Sequence, residues 1–132
     1  MMVYAWGRDA VIVDCGMTMP EAGHHGVDYV IPDIRALKDL DLKLHAILLT
    51  HAHEDHIGAL PYLWPQLKLP IWGLPATLKL VEVKLEEFGL RPPMKRYPAL
   101  GRRVQIGPFR VEALPVTHSI MDAACLALQT PL

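Results

Sequence analysis

The chain has 132 residues, a formal net charge of −1 and 52% hydrophobic side chains, so it is long enough and apolar enough to form one core. Its two cysteines, Cys15 and Cys125, exclude a disulfide framework, and we expect both to be buried small hydrophobic residues, as in a reducing compartment. No segment approaches the ~20 apolar residues that cross a bilayer, and no signal peptide opens the chain. These features predict a cytoplasmic protein without membrane contact.

The first part of the chain predicts strands followed by a short helix. A strand pair is expected around Tyr4 and over residues 10–14, and Asp33 is suited to cap the start of a helix. Residues 45–50 form a short apolar run, which is typical of a buried strand. The polar end of that strand is where a sheet would place the residues of a site.

The second part continues the alternation. A helix over residues 57–64 tolerates Pro61 only in its first turn, and residues 70–72 indicate another strand. Pro75 and Gly89 bracket a longer helix. The apolar stripe of that helix consists of Leu78, Val81, Leu85 and Phe88. The last strands are predicted over residues 103–106, 109–116 and 125–129, with a hairpin turn at Gly107 and Pro108. The order as a whole predicts an α/β fold.

Three histidines and an aspartate crowd into one segment, whose sequence over residues 50–56 is THAHEDH. His51 and His53 lie two residues apart in extended chain, so both imidazoles can face one metal ion. Asp55 and His56 fall where the chain turns into the next helix, and a second ion would suit them. The alternative is a polar loop whose histidines cap a helix. The segment differs from the H-E-x-x-H pattern of helical zinc proteases.

Such a site needs a further ligand from elsewhere in the chain. His118 follows a run of β-type residues and is the natural candidate, although a lone histidine after a strand is more often structural. His24 and His25 sit between glycines at a predicted loop tip, where solvent exposure is expected. His45 opens a strand, and a structural role is expected for it.

Charge is unevenly distributed along the chain. Residues 1–63 contain 4 basic and 9 acidic side chains, whereas residues 64–132 contain 9 basic and 5 acidic ones. Five of the later basic residues flank prolines in a predicted connection: Arg91, Lys95, Arg96, Arg102 and Arg103. A basic loop can steer a polyanion toward a site, but a solvated loop without a partner explains this stretch equally well.

The segment over residues 51–56 resembles the H-x-H-x-D-H signature of the metallo-β-lactamase superfamily. Its surroundings are similar to one branch of that superfamily, the bacterial ribonuclease J proteins. The segments that carry the resemblance run almost from end to end: residues 12–16 (IVDCG), 26–33 (GVDYVIPD), 49–63, 84–90 (KLEEFGL) and 117–120 (THSI).

The resemblance implies the αββα sandwich of this superfamily, of which residues 1–132 would form about the first half. By analogy, His51, His53 and His118 would hold one zinc ion, and Asp55 and His56 would hold a second, with a water between the ions; manganese is the alternative metal. Asp14 matches a family acid that would hydrogen-bond a ligand, although turn chemistry explains an Asp-Cys-Gly segment equally well.

The activity that the resemblance implies is zinc-dependent hydrolysis of RNA phosphodiester bonds, from a 5′ end or internally. Asp55 and His56 would take part in catalysis, with Asp55 orienting the attacking water and taking its proton. The longer protein would bind RNA and form a homo-oligomer. The same metal chemistry also hydrolyses thioesters and lactams, so a small-molecule hydrolase and a non-catalytic metal-binding fragment remain alternatives.

The chain also departs from the family pattern. Met121 stands where the family usually has proline. A bridging aspartate, a last histidine, the inserted β-CASP domain and the C-terminal domain of the family have no counterpart in residues 1–132. We therefore expect a partial metallo-β-lactamase domain that exposes an apolar face.

Overall fold

A computed structural model describes residues 1–131, apart from the side chain of Lys38. The first sheet within this range has five strands in the order β1-β2-β3-β4-β5. These strands are β1 (Met2–Trp6), β2 (Asp9–Val13), β3 (Lys43–Leu48), β4 (Ile71–Gly73) and β5 (Met94–Arg96). β1 pairs antiparallel with β2, and every later pair is parallel. Parallel strands bring their carboxyl ends to one edge of the sheet, which is where ligands bind in open α/β sheets.

A second sheet packs on the first. Its strands are β6 (Val104–Ile106), β7 (Phe109–Pro115) and β8 (Ala124–Gln129), which form an antiparallel meander in that order. Apolar side chains of β2 and β3, among them Val11 and Leu48, contact the fully buried Phe109 and Val111 of β7. The alternation of buried and exposed residues along β7 matches a strand with one face in the core.

Helices cover the other face of the first sheet. They are α1 (Arg35–Asp39), α2 (Glu54–Ile57), α3 (Leu60–Leu67) and α4 (Pro75–Glu86). Buried Leu60 of α3 and Val81 and Leu85 of α4 pack with Ile12 and Ile47 of the sheet. Helices on one face and a second sheet on the other give three layers, and the α/β prediction is confirmed.

Most predicted elements are confirmed, with bounds shifted by a few residues. The helix expected over residues 57–64 is instead two helices, because Gly58 ends α2 and α3 begins at Leu60. Pro61 lies in the first turn of α3, as predicted. A proline has no N–H, so Pro61 cannot continue the hydrogen bonds of α2, whereas the first turn of α3 needs no N–H at that position. Asp33 lies one residue before the N-cap Ile34 but still accepts a hydrogen bond from the Arg35 amide (2.9 Å).

Three expectations are corrected. The basic connection contains the short edge strand β5, which the neighbouring prolines permit because an edge strand leaves one side unpaired. Phe88 is 47% exposed, since α4 ends at Glu86 and the helical spacing no longer applies. Cys125 is exposed because it lies on the outward face of β8, where side chains alternate.

His45 has the structural role expected of it. Its Nε2 contacts Asp9 Oδ1 at 2.6 Å, which links the starts of the parallel neighbours β2 and β3. Gly107, in the β6–β7 turn, lies over this ring, and a Cβ added there would come within 2.6 Å of it. The His45–Asp9 pair therefore holds the β6–β7 turn of the second sheet against the first sheet. None of the helices in residues 1–131 is both long and apolar enough to cross a membrane.

Native alkylation is expected to separate the two thiols. Burial raises the pKa of Cys15 to about 12, so its thiolate is scarce at pH 8, whereas Cys125 is exposed. Iodoacetamide at pH 8 should therefore modify Cys125 alone, and Cys15 only after urea is added. Peptide mass mapping measures this, with Cys125→Ser as the control that should stay unlabelled when native. Rapid labelling of Cys15 in the native chain would contradict the burial described above.

Candidate metal centre

The candidate site forms at the carboxyl edge of the parallel strands. Asp14 directly follows β2, and Thr50 and His51 follow β3. His53 is the N-cap of α2, with extended backbone, so it lies on the same stretch as His51. His118 arrives from the second sheet, in the connection between β7 and β8. The parallel pairing of β2 with β3 thus brings together residues that are 36 positions apart in the chain.

Three imidazoles converge on one point. His51 Nε2 lies 3.1 Å from His53 Nδ1 and 3.2 Å from His118 Nε2. The three ligand nitrogens all lie within 4.8 Å of one another. Zinc held tetrahedrally at about 2.0–2.1 Å from each nitrogen would place the nitrogens about 3.3 Å apart. The donor set and its spacing therefore fit one metal ion.

Thr50 and Asp14 set the orientation of His51. Asp14 is buried, and its carboxylate accepts hydrogen bonds from the Thr50 amide (2.9 Å) and from Thr50 Oγ1 (2.8 Å). The hydroxyl has only one proton, so its 2.9 Å contact with His51 Nδ1 is one in which Nδ1–H donates. This leaves an unprotonated lone pair on His51 Nε2, the atom that faces the other two histidines.

The environment also keeps His51 neutral. Burial lowers the pKa of His51, and the neighbouring imidazoles of His56, His118 and His53 lower it further. Metal ligands must be deprotonated, so a histidine held neutral without metal loses no proton when an ion binds. His51 as a whole residue is only 7% exposed, which limits the motion of its side chain.

Asp55 and His56 lie beside the three histidines without joining their cluster. His56 Nδ1 contacts Asp14 Oδ2 at 2.7 Å, so the carboxylate accepts its proton and leaves Nε2 free to bind. That Nε2 lies 3.4 Å from Asp55 Oδ2, close to the separation of two ligands on one ion. The imidazole of His56 packs 3.9 Å from that of His51, centroid to centroid. The two pairs of donors are therefore adjacent.

The remaining acid of the segment faces away. Both Glu54 carboxylate oxygens bond to Lys84 Nζ of α4 at 2.9 Å. Asp55 is thus the acid of this segment that is available to the site. His24 and His25 are exposed in their loop, as expected, and His45 pairs with Asp9 near the starts of β3 and β2, away from the carboxyl ends of these strands.

Thr50 was not predicted as a functional residue. A threonine after a buried strand carries no spacing signal, and its position between two histidines and a carboxylate appears only in three dimensions. For Asp14, by contrast, the resemblance implied a hydrogen bond to a metal ligand, and in the structure its Oδ2 contacts Nδ1 of His56.

Residues 2–119 match the model of the metallo-beta-lactamase superfamily, and the chain belongs to that superfamily. Solved structures agree on the fold. The match to MEM-A1, a subclass B3 metallo-beta-lactamase, covers 98% of this chain and 51% of the MEM-A1 chain. Its TM-score is 0.69, at 19% sequence identity. A diphosphatase of the PhnP family matches 96% of this chain and 47% of its own, with a TM-score of 0.67 at 18% identity. The predicted partial sandwich is confirmed.

Curated relatives with higher identity are ribonuclease J proteins. The Helicobacter pylori protein is 41% identical over 132 residues, which covers 98% of this chain. Those of Sinorhizobium meliloti and Thermus thermophilus are 41% and 38% identical. The resemblance noted in the sequence is confirmed. The chain spans only 19% to 24% of the length of these three relatives.

Proposed function

We propose that this chain is the metal-binding part of a metal-dependent ribonuclease that hydrolyses RNA phosphodiester bonds. The observation that carries the proposal is the 41% identity to ribonuclease J over nearly the whole chain, against 19% for MEM-A1 of the same fold. The three converging imidazoles supply the metal-binding chemistry that a hydrolase of this superfamily needs.

In this proposal His51, His53 and His118 hold one ion, and Asp55 and His56 hold a second. Zinc is the proposed metal, with manganese as the alternative, because imidazole and carboxylate donors suit both. Asp14 and Thr50 hold His51 and His56 in the tautomers that present Nε2. Two metal ions held by these residues would lower the pKa of a bound water and would stabilise charge on a phosphoryl group.

Asp55 and His56 are the residues proposed to lie beside the reacting water. Asp55 is exposed (72% of its side chain), so its carboxylate can reach substrate as well as hold an ion. We assign it the orientation of the attacking water and the uptake of its proton. His56 has no free Nδ1 for this work, because Asp14 already accepts from it. We further propose that the longer protein acts in the cytoplasm as a homo-oligomer on RNA, from a 5′ end or internally.

A substrate comparison tests this function. The chain, supplied with zinc or manganese, is incubated with 5′-labelled RNA, circular RNA, a chromogenic β-lactam and a thioester. We expect hydrolysis of RNA only, and Asp55→Ala should lower its rate at least about 100-fold, the scale of one acid–base residue. Asp28→Ala, at an exposed loop acid, is the matched control and should keep the wild-type rate.

The first two of the following outcomes would overturn the proposal, and the third would narrow it. Turnover of the β-lactam or thioester without RNA cleavage would assign a small-molecule hydrolase. Metal binding without turnover of any substrate would assign a non-catalytic metal-binding fragment. Cleavage of linear but not circular RNA would restrict the proposed enzyme to exonuclease action.

A further inference from the structure

His118 is not held in the candidate site by its own burial. Its side chain is exposed, and its Nε2 contacts the site through the 3.2 Å approach to His51 Nε2. The position of this imidazole therefore depends on the backbone of the connection between β7 and β8. Backbone bonds join Val116 to Ala123 and Ala124 to Thr50, both at 3.0 Å, and so close the base of that connection.

Asp122, close to the β8 end of the connection, ties the connection to α4. Its Oδ2 accepts a hydrogen bond from the Ala76 amide (2.7 Å), and its carbonyl oxygen accepts one from Thr77 Oγ1 (3.1 Å). Thr77 is fully buried, so its hydroxyl is a fixed donor. The α4 N-cap residue, Leu74, has no side-chain oxygen, and Asp122, which lies 46 residues after Ala76, supplies the missing capping group.

The backbone of Asp122 matches this use. Its φ is +56°, a left-handed value that aspartate and asparagine adopt more readily than most residues. That conformation turns the chain so that both the carboxylate and the carbonyl of one residue face the first turn of α4. A carboxylate at the positive end of a 12-residue helix is also electrostatically favourable.

We propose that Asp122 is a positioning residue for His118, with Thr77 as its partner on α4. The two hydrogen bonds to α4 fix the connection from one side and the bond from Ala124 to Thr50 fixes it from the other. In the chain, His118 lies between Val116, whose amide bonds to Ala123 O, and Asp122, so these anchors place its imidazole opposite His51. The inference rests on the proposed function for its meaning, but its geometry can be tested in the metal-free chain.

The test compares Asp122→Gly, Asp122→Asn and Thr77→Val. Glycine accepts the left-handed φ and removes only the carboxylate, and asparagine keeps an acceptor oxygen and the same backbone preference. Valine replaces the buried threonine at nearly equal volume. Asp41→Gly is the matched control, because Asp41 is also left-handed (φ +47°) but pairs with Arg8 before β3, at the opposite edge of the sheet.

Two readouts follow the imidazole itself. In the metal-free chain, ¹⁵N–¹H spectra of the histidine rings report the tautomer and environment of His118. Zinc affinity is measured by competition with a chelator. We expect Asp122→Gly and Thr77→Val to shift the His118 signals and to weaken zinc binding at least about tenfold, the scale of lost outer partners. Asp122→Asn and Asp41→Gly should stay near wild type in both readouts.

A purely structural cap predicts a different pattern. Asp122→Gly would then lower the melting temperature while leaving the His118 signals and zinc affinity unchanged, and that result overturns the inference. If Asp122→Gly does not fold, Thr77→Val decides the question alone. Failure of wild-type RNA cleavage would overturn the proposed function, whereas the metal-free His118 spectra would still decide this inference.

Discussion

Replacing His51 with alanine is expected to remove metal binding at the cluster of His51, His53 and His118. His51 Nε2 is the atom that both His53 and His118 approach, so its loss leaves two donors without the one between them. Loss of a residue that only hydrogen-bonds a metal ligand typically lowers metal affinity roughly 10–100-fold. Zinc affinity should fall further here, because His51 is itself a proposed ligand. Elemental analysis after dialysis measures zinc per chain, and His53→Ala should behave alike.

The matched control for this change is His25→Ala. It removes an exposed imidazole from the loop between β2 and α1, which is outside the histidine cluster. It should keep the zinc content of the wild type. Circular dichroism of each variant establishes that the fold is retained. Equal zinc content in His51→Ala and the wild type would show that the converging histidines are not the metal site. Two ions per wild-type chain would support the paired arrangement with Asp55 and His56.

Substituting Gly16 by alanine is expected to give the largest loss of stability. A Cβ at this position would overlap the carbonyl oxygen of Asp55, which is backbone and cannot move aside as a side chain would. The segment is fixed on both sides of Gly16 by bonds from the Cys15 amide to His56 O (2.6 Å) and from the Met17 amide to Glu54 O (3.1 Å). The cost should exceed about 3 kcal/mol, the range of severe packing defects.

The measurement is a thermal melt, in which such a cost lowers the midpoint by about 10 °C for a domain of this size. Gly73→Ala is the control, since its added Cβ would come 3.1 Å from Leu78 Cδ2, the end of a flexible side chain. It should melt close to the wild type. A Gly16→Ala midpoint within a degree or two of that control would disprove the close approach of this turn to α2.

The secondary structure was predictable wherever one local signal dominated. Apolar runs predicted β2 and β3, and Pro75 predicted the start of α4. The prediction failed where two signals competed. Prolines hid the edge strand β5, and the hydrophobic character of Cys125 suggested burial although the alternation of β8 faces it outward. Neither outcome can be read from composition, because both depend on which strand lies beside which.

The site was predictable to the extent that it is local. His51, His53, Asp55 and His56 lie in one segment, and their spacing suggested two groups of donors, which the structure brings close together. Thr50 lies in the same segment, but its role depends on a carboxylate 36 residues earlier. The link from Asp122 to Ala76 spans 46 residues and leaves no pattern in the sequence. Such partners become visible only when the strands are paired.

The wide sequence separations also bear on the order of assembly. His51 and His53 come into place with β3 and α2, whereas the contact of His118 with His51 closes a loop of 67 residues. Closing so long a loop costs chain entropy that only docking of the second sheet can offset. A chain with its first sheet formed but its last hairpin undocked would offer two of the three clustered imidazoles. Binding a metal ion at all three is therefore a measure of complete folding, and an ion that binds there would favour the fully docked chain over its partly folded forms.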